Sequence, residues 1–316
     1  MTDILVTENI TGGAMDALRS ECDVRFDPEL WNDTDRLTET VRSVRALIVR
    51  NQTQVTADLI AAAPKLEIIS RAGAGLDNID TDAATEAGIV VSYAPHENAV
   101  SVAELTIGFM LALARRIPAA DADTHGGGWN RHEFTGIELS GKTLGIVGFG
   151  QIGQLVAERA RVFGMQIVTH DPFVEPASDV LTQFNAQWLE LDDLLRRSDI
   201  VTVHVPLTND TAGLFNAEQF GQMKSSALLI NTSRGEIIDE EALAQALTEK
   251  RIAGVALDVR QSEPPKPGPL EQMKNVICTP HIAAFTREAQ QRVVAVVCRD
   301  VITVLSGGEA CNVFTK

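Results

Sequence analysis

The sequence predicts an α/β protein with two doubly wound parallel sheets, one of them inserted into the other. Short apolar runs alternate with amphipathic stretches of helical length along almost the whole chain, which is typical of parallel βαβ units. At 316 residues the chain is long enough for two domains, each with its own core. The βαβ pattern also starts a second time near residue 141, after a long apolar helical segment.

The first series of the pattern contains five predicted strands and four predicted helices. The strands are 4–7, 24–26, 46–49, 67–71 and 89–92, and the helices between them are 13–20, 34–45, 57–63 and 81–87. From residue 101 to 117, apolar side chains recur at about the helical period, so we expect one long helix there. Pro118 should end this helix, and a glycine-rich loop at 125–131 follows it.

The second series begins at Gly141 and contains six predicted strands. These are 144–147, 166–170, 200–205, 227–231, 252–258 and 276–278, and residues 285–305 form a helix with valines at four-residue steps. We interpret the second series as an insertion into the first domain. Residues 1–98 and 285–316 would then form one domain, and residues 99–284 the other.

The composition and net charge limit the kinds of molecule that the protein is expected to bind. Hydrophobic residues make up 45% of the chain and charged residues 22%, which is ordinary for a globular protein. The net charge of −16 argues against nucleic acid or an anionic membrane as the partner. An anionic substrate would therefore need positive groups close to its binding site.

The four cysteines and the N-terminal segment indicate a cytoplasmic protein. Cys22, Cys278, Cys298 and Cys311 lack the spacing of a zinc site, so we expect reduced thiols and no metal. No leader-like pattern precedes the first predicted strand, and no uncharged apolar run is long enough to span a membrane.

A glycine motif, GFGQIG at residues 148–153, directly follows a predicted strand and opens a helix predicted at 154–163. Such glycines let the backbone approach a pyrophosphate, whose charge is favoured at a helix N-terminus. Asp171 ends the next strand, 18 residues after Gly153, where an acid binds ribose hydroxyls and repels a 2′-phosphate. No Arg or Lys directly follows Asp171, so the motif favours NAD over NADP; the alternative is a plain glycine turn with a surface aspartate.

Three residues downstream have the chemistry needed for a 2-oxo or 2-hydroxy acid. Arg234 follows an apolar strand, and a guanidinium can bind a carboxylate through two parallel hydrogen bonds. His281 follows Thr279-Pro280, opens a helix-like run, and can transfer a proton at neutral pH. Glu263, at the exit of another apolar strand, could orient the imidazole and stabilise its charged form.

Taken with the glycine motif, these residues make the sequence resemble the D-isomer-specific 2-hydroxyacid dehydrogenases over nearly its whole length. The matching segments are 71–80, 98–104, 148–153, 231–235, 257–259, 263–264 and 279–281. One departure lies at 259–262, Val-Arg-Gln-Ser, where the family often has an aromatic residue and an acid. The departure changes the loop before Glu263 but keeps the position of the glutamate.

The resemblance implies a Rossmann NAD-binding domain inserted into a flavodoxin-like substrate domain, and a homodimer that pairs largely through the NAD-binding domain. It assigns catalysis to Arg234, Glu263 and His281, and the nicotinamide amide contact to Asp258. The predicted cofactor contacts are Gly148, Gly150, Gln151, Ile152, Gly153, Asp171, Val205, Thr232, Ser233 and Asp258. The substrate carboxylate would meet the backbone of Gly73, Ala74 and Gly75.

Within the family, phosphoglycerate dehydrogenase-like members are the nearest match, and they hold a distal phosphate with arginines. The matching positions are Arg50, Arg71 and Arg131. The alternative is that Arg71 and Arg131 tie loops to the surface. Because sulfolactate-type members share the Arg-Asn-x-Thr pattern at 50–53, the second anion could also be a sulfonate.

Two other functions stay open. A glyoxylate or hydroxypyruvate reductase would use the same catalytic residues on a smaller acid. An NADH-sensing binding protein, like the corepressors that share this fold, would bind the cofactor without turnover. The acidic composition argues against the binding protein, and the sequence leaves the particular acid and the direction of the reaction open.

Overall fold

The computed structural model describes residues 3–315, which form two compact units. The first unit comprises Met1–Asn98 and Ala284–Lys316, and the second comprises Ala99–Ala283. No helix in the described part of the chain is long and apolar enough to cross a membrane.

The first unit contains a five-stranded, all-parallel sheet. Its elements are β1 (Ile4–Val6), α1 (Gly13–Glu21), β2 (Val24–Phe26), α2 (Thr34–Val41), β3 (Ala46–Val49), α3 (Ala57–Ala61), β4 (Ile68–Arg71), α4 (Thr81–Glu86), β5 (Val90–Tyr93) and, from the end of the chain, α12 (Arg287–Leu305). The strand order is β2-β1-β3-β4-β5, which is the flavodoxin-like order.

Helices cover both faces of this sheet because its strands are apolar on both sides. Along β3, Leu47 and Val49 point into one core, and Ala46 and Ile48 point into a second core on the opposite face. The second core is closed by α12, whose valines, including Val293, are buried there. The regular valine spacing therefore marks the face of α12 that packs on the sheet.

The second unit contains a seven-stranded, all-parallel sheet. Its elements are α5 (Ala99–Ala114), α6 (Ile117–His125), β6 (Thr143–Val147), α7 (Gln151–Val162), β7 (Gln166–His170), α8 (Asp179–Phe184), β8 (Ala186–Trp188), α9 (Leu191–Arg197), β9 (Ile200–Val203), α10 (Ala217–Gln222), β10 (Leu228–Asn231), α11 (Glu240–Thr248), β11 (Gly254–Leu257) and β12 (Val276–Cys278). The order is β12-β11-β10-β9-β6-β7-β8.

This order is that of a Rossmann sheet, in which the direction of winding reverses between β6 and β9. In open parallel sheets, ligands bind at the carboxyl ends of the strands beside such a reversal. The prediction of an α/β protein with two doubly wound parallel sheets is therefore confirmed, including the Rossmann and flavodoxin-like orders.

The prediction of one helix from 101 to 117 is wrong. The helix ends at Ala114, Arg116 adopts a left-handed conformation with φ of 54°, and a separate helix, α6, starts at Ile117. Pro118 lies in the first turn of α6, where its missing N–H costs no intrahelical hydrogen bond. The proline therefore begins the second helix instead of ending the first.

Two further differences concern short elements. The edge strand β8 was not predicted, because it has only three residues and none of them is buried. No helix opens at His281, since this residue has a φ of 54° and α12 begins only at Arg287. A positive φ of that kind does not fit a right-handed helix.

Candidate active site

The glycine loop joins β6 to α7 at the reversal of the second sheet. A Cβ on Gly148, whose φ is 92°, would lie 2.6 Å from the carbonyl oxygen of His204 and 2.9 Å from Val205. A Cβ on Gly153 would overlap the carbonyl oxygen of Gly148. At Gly150, by contrast, a Cβ would have open space around it. The loop is thus tightly packed at its first and third glycines and open at its second, which leaves a cradle at the start of α7.

Two features of this cradle fit a dinucleotide. Gln151 and Ile152 open α7, a twelve-residue helix whose first backbone N–H groups favour a bound anion. Asp171 follows β7, and its carboxylate accepts hydrogen bonds from the N–H groups of Phe149 at 2.7 Å and Phe173 at 2.9 Å. These bonds hold a negative charge beside the glycine loop, where ribose hydroxyls would bind and a 2′-phosphate would be repelled.

The turn after β10 carries Thr232, Ser233 and Arg234, and Asn231 holds it in shape. The Asn231 side-chain oxygen accepts bonds from Ser233 N at 3.0 Å and Ser233 Oγ at 2.8 Å. The side-chain amide of Asn231 donates to the carbonyl of Arg234 at 2.8 Å. The hydroxyl of Thr232 lies 3.1 Å from that of Thr106 on α5. The fully buried Asn231 therefore fixes the backbone that presents Arg234.

Glu263 and His281 form a direct, partly exposed pair. Glu263 Oε2 lies 2.7 Å from His281 Nδ1, and Glu263 Oε1 accepts a bond from the backbone N–H of Arg260 at 3.1 Å. Burial on its own would raise the pKa of Glu263. The hydrogen bond and charge of His281, the Arg260 N–H and the charge of Arg234 outweigh burial and lower that pKa. The carboxylate consequently stays ionised at neutral pH and faces the imidazole.

The turn that carries His281 is held by Asp258, which is only 1% exposed. The Asp258 carboxylate accepts bonds from the N–H groups of Ile282 at 2.8 Å and Ala283 at 2.7 Å, and from the hydroxyl of Thr279. The carbonyl of Asp258 also accepts from His281 N at 2.8 Å. These bonds stabilise the unfavourable positive φ of His281. Asp258 therefore has a structural role in the turn that carries His281, and its contact with nicotinamide stays a prediction.

Arg234, Glu263 and His281 all follow the carboxyl ends of neighbouring strands, β10, β11 and β12, in the second unit. The Arg234 guanidinium donates to the carbonyl of Ser233 at 2.8 Å. The same unit holds the glycine loop and Asp171. The structure therefore places a cation, a carboxylate–imidazole pair and a nucleotide cradle on one sheet. Arg131 also belongs to this unit and lies in the exposed loop after α6.

In the first unit, Arg50 and Arg71 lie at the carboxyl ends of the neighbouring strands β3 and β4. The guanidinium of Arg71 covers Gly73 so closely that a side chain there would overlap it. The guanidinium of Arg50 donates to the side chain of Gln290 and lies 5.2 Å above the ring centroid of Phe285. Burial lowers the pKa of Arg50 from its ordinary value, and the charge of Glu8 opposes this shift.

Glu8 organises the loop that starts at Arg50. It is 2% exposed, and its carboxylate accepts bonds from the N–H groups of Arg50 at 2.7 Å, Gln52 at 3.1 Å and Thr53 at 3.0 Å. The hydroxyl of Thr53 donates to the same carboxylate at 2.8 Å. The predicted carboxylate contacts Gly73, Ala74 and Gly75 follow the neighbouring strand, and the carbonyl of Gly73 accepts a hydrogen bond from Ala94 N at 2.9 Å. Both predicted substrate loops of this unit are thus anchored to its core.

Sequence reasoning missed three residues that hold individual predicted site residues or their loops in place: Glu8, Asn231 and Gln290. An asparagine at a strand end before Thr-Ser is a recognisable turn signal, so Asn231 could have been found. Glu8 and Gln290 gave no such local signal, because their partners lie 42 and 240 residues away in the chain.

Comparison with known proteins agrees with this geometry. The profile described as D-isomer specific 2-hydroxyacid dehydrogenase, NAD binding domain, matches residues 107–283. D-3-phosphoglycerate dehydrogenase of Methanocaldococcus jannaschii is 44% identical over 314 residues, which are 99% of this chain and 59% of that protein. The chain spans little more than half the length of the curated relatives that it matches.

Two solved structures are similar over nearly their whole length. The TT0316 protein from Thermus thermophilus superposes with a TM-score of 0.93 at 35% identity, covering 99% of this chain and 100% of that one. A glyoxylate reductase from Paecilomyes thermophila gives a TM-score of 0.89 at 30% identity, covering 99% and 98%. The nucleotide cradle of the second unit is thus that of an NAD-binding domain, and the chain belongs to the D-isomer specific 2-hydroxyacid dehydrogenase family.

Proposed function

We propose that this protein is an NAD-dependent dehydrogenase that interconverts a D-2-hydroxy acid and its 2-oxo acid. The observation that carries the proposal is the 2.7 Å pair of Glu263 and His281, in the same unit as Arg234 and the NAD-binding loop. The glycine loop would hold NAD, which would supply the acceptor for the hydride from C2 of the hydroxy acid. Asp171 beside the glycine loop supports a preference for NAD over NADP.

Each catalytic residue has one role in this proposal. Arg234 binds the substrate carboxylate through its guanidinium fork and polarises the oxygen on C2. The Nδ1–H of His281 donates a hydrogen bond to the Glu263 carboxylate, so Nε2 takes the hydroxyl proton during oxidation and returns it during reduction. The lowered pKa of Glu263 keeps it ionised, and its charge stabilises the imidazolium.

We infer a substrate with a second anionic group, such as 3-phosphoglycerate. Arg50 and Arg71 supply two cations at neighbouring strand ends of the first unit, and Arg131 is the third predicted cation. The backbone of Gly73, Ala74 and Gly75 is the predicted carboxylate contact. Gln290 and Phe285 restrain the guanidinium of Arg50, which favours a preorganised anion contact. A sulfonate in place of the phosphate would suit the same cations.

Two alternatives remain distinguishable by turnover. Glyoxylate or hydroxypyruvate reduction would use the same catalytic residues, and the similarity to the Paecilomyes thermophila glyoxylate reductase keeps it open. An NADH-sensing binding protein would bind the cofactor and turn over no acid. We further propose a cytoplasmic homodimer with neither nucleic acid nor membrane as a partner, in keeping with the net charge of −16.

The test is an NAD-coupled screen of 2-hydroxy acids with and without a distal phosphate, sulfonate or carboxylate. Losing one side of a desolvated charge pair costs roughly 2–5 kcal/mol, so the dianionic acid should be preferred at least about tenfold in kcat/KM. A preference for glycolate, or for glycerate over its phosphorylated analogue, would contradict the proposed substrate class.

The Arg50→Ala variant tests the distal-anion contact. We expect a higher KM for the dianionic acid and little change for the simple acid, because the distal group takes no part in hydride transfer. Arg45→Ala, which removes a partly exposed pair with Glu67 in the same unit, is the matched control. Equal losses for both acids in Arg50→Ala would mean that Arg50 supports structure or the shared carboxylate instead.

A further inference from the structure

Arg260 is a buried cation in the loop before Glu263. Its side chain is 7% exposed, and its guanidinium fork donates to both carboxylate oxygens of Glu240, at 2.9 Å and 2.8 Å. The remaining terminal nitrogen donates to Glu271. A charged group buried to this extent requires such partners, because an unpaired buried charge is strongly unfavourable. Three donors and two carboxylates therefore fix the position of the Arg260 side chain.

The backbone of Arg260 contacts Glu263 and the residue that follows Arg234. Its N–H donates to Glu263 Oε1 at 3.1 Å, while Glu263 Oε2 holds His281. The carbonyl of Arg260 packs so closely on Gly235 that any Cβ at Gly235 would overlap it. Gly235 directly follows Arg234. The same residue is thus bonded to the loop of Glu263 and packed against the turn of Arg234.

Glu240 extends this connection to a helix. It is the first residue of α11, and its Oε1 also accepts a bond from the N–H of Gln261 at 2.8 Å. Glu271 belongs to a short 3-10 helix, Leu270–Gln272. The loop from Arg260 to Glu263 is therefore tied through one guanidinium to two separate segments of the second unit.

We propose that Arg260 is a positioning residue that holds Glu263 in hydrogen-bonding orientation toward His281 by anchoring their loop to Glu240 and Glu271. The proposal rests on the dehydrogenase function proposed above. The charged and titratable groups near Glu263 are His281 and Arg234, and those near Arg260 are Glu240, Glu271 and Cys278. Because the Arg260 N–H lowers the pKa of Glu263, loosening the loop should raise that pKa.

The experiment compares Arg260→Met and Arg260→Lys with the parent enzyme. A misplacement of about 1 Å can cost about 10²-fold in rate, so Arg260→Met should lower kcat by roughly 10- to 100-fold. In the reduction direction, where His281 must carry its proton, the acid limb of the pH profile of kcat/KM reports protonation of Glu263 and should move to higher pH. NADH affinity should be unchanged. Arg260→Lys, which keeps the charge but loses the fork, should recover part of kcat.

Arg251→Met is the matched control, since it removes an exposed Arg–Glu pair with Glu249 just after α11. If Arg260→Met does not fold, Glu240→Gln supplies the test: it replaces the carboxylate with a neutral amide of nearly the same shape and should shift the same limb of the pH profile.

Three outcomes are distinguishable. A lower melting temperature with unchanged kcat and pH profile would show that Arg260 is only structural and would overturn the proposal. An active parent enzyme with unaffected Arg260 and Glu240 variants would also overturn it while leaving the proposed function intact. No turnover of any 2-hydroxy acid by the parent enzyme would reject the proposed function, and the positioning role with it.

Discussion

His281 shows how single residues around the site support one another. Its left-handed backbone is unfavourable for a residue with a Cβ, at a cost of about 1–3 kcal/mol. The hydrogen bonds that the next two backbone N–H groups donate to the Asp258 carboxylate offset this cost. Because Glu263 bonds to Nδ1, the turn leaves Nε2 as the ring nitrogen that can exchange a proton with a substrate.

At this scale we predict that His281→Ala and Arg234→Ala lose turnover while NADH binding stays nearly intact. Loss of a general base typically costs ~10²–10⁴ in rate. The cofactor pyrophosphate is expected at the glycine loop, which neither substitution touches. Steady-state kinetics and NADH fluorescence titration measure the two effects. A variant that kept more than half of the parent kcat would show that the assigned roles are wrong.

We predict that substitution of Asp171 changes the cofactor preference. The parent enzyme should prefer NAD(H), and Asp171→Ala combined with Phe173→Arg should move the preference toward NADP(H). The substitutions remove a carboxylate that repels a 2′-phosphate and add a cation nearby. The ratio of kcat/KM for the two cofactors is the measurement. Equal values for both cofactors in the parent enzyme would contradict the prediction.

At the scale of elements, the loop between β6 and α7 contains one glycine that packing requires and another that we expect to contact the cofactor. Gly153→Ala should destabilise the protein without cofactor, because its Cβ would overlap the carbonyl of Gly148. Gly150→Ala has open space and an ordinary negative φ, so it should leave the melting temperature unchanged or slightly raised. It should nevertheless weaken NADH binding, because a Cβ would keep the pyrophosphate from the backbone.

Melting temperatures of the protein without cofactor and dissociation constants for NADH distinguish the two glycines. The two substitutions serve as controls for each other, since each adds one methyl group to the same loop. Unchanged NADH affinity in Gly150→Ala would mean that the cofactor does not approach the loop at this point.

At the scale of the whole molecule, we expect a homodimer. The apolar surface that would form it, however, lies at a different place from the one that the sequence suggests. The sequence suggests that the long apolar helix after residue 100 has more apolar surface than one domain could cover. In the structure, ten of the sixteen residues of α5 are already buried. The uncovered apolar surface lies nearby instead: α6 has no buried residue, and Ile117 and Trp129 are 52% and 76% exposed.

Light scattering at micromolar concentration should therefore give twice the chain mass of 34.1 kDa. Ile117→Glu should shift the mass toward that of one chain, because a charge disfavours an apolar contact. Val162→Glu, at an exposed apolar position on α7, is the control and should leave the mass unchanged. A single-chain mass for the parent protein would rule out the dimer.

The charge of the whole molecule predicts that salt stabilises it. The chain has 43 acidic and 27 basic residues, so the folded state repels itself electrostatically. Raising KCl from about 0.1 to 1 M shortens the screening length from about 10 to 3 Å, and the melting temperature should rise. A double variant, Glu86→Gln with Glu309→Gln, removes two exposed charges and should melt higher than the parent at low salt. A melting temperature independent of salt would contradict this prediction.

Features that depend on residues close together in the chain could be predicted from the sequence. Alternating apolar runs and helix-length segments identified both parallel sheets, since each βαβ unit is local in the chain. The glycine loop and Asp171 were identifiable because strand, turn and helix follow one another directly. Arg234, Glu263 and His281 were found through their motifs, and each lies after the carboxyl end of a strand.

Only the tertiary structure decided which side chains hold these groups in place. Glu8 supports the Arg50 loop from 42 residues away, Arg260 reaches Glu240 across 20 residues, and Asp258 holds Ala283 across 25. Charged side chains are normally solvated, so the amino-acid sequence alone predicts that such residues are exposed. Strand order places Glu8, Asp258 and Arg260 inside a unit, and burial there requires each to be fully hydrogen-bonded.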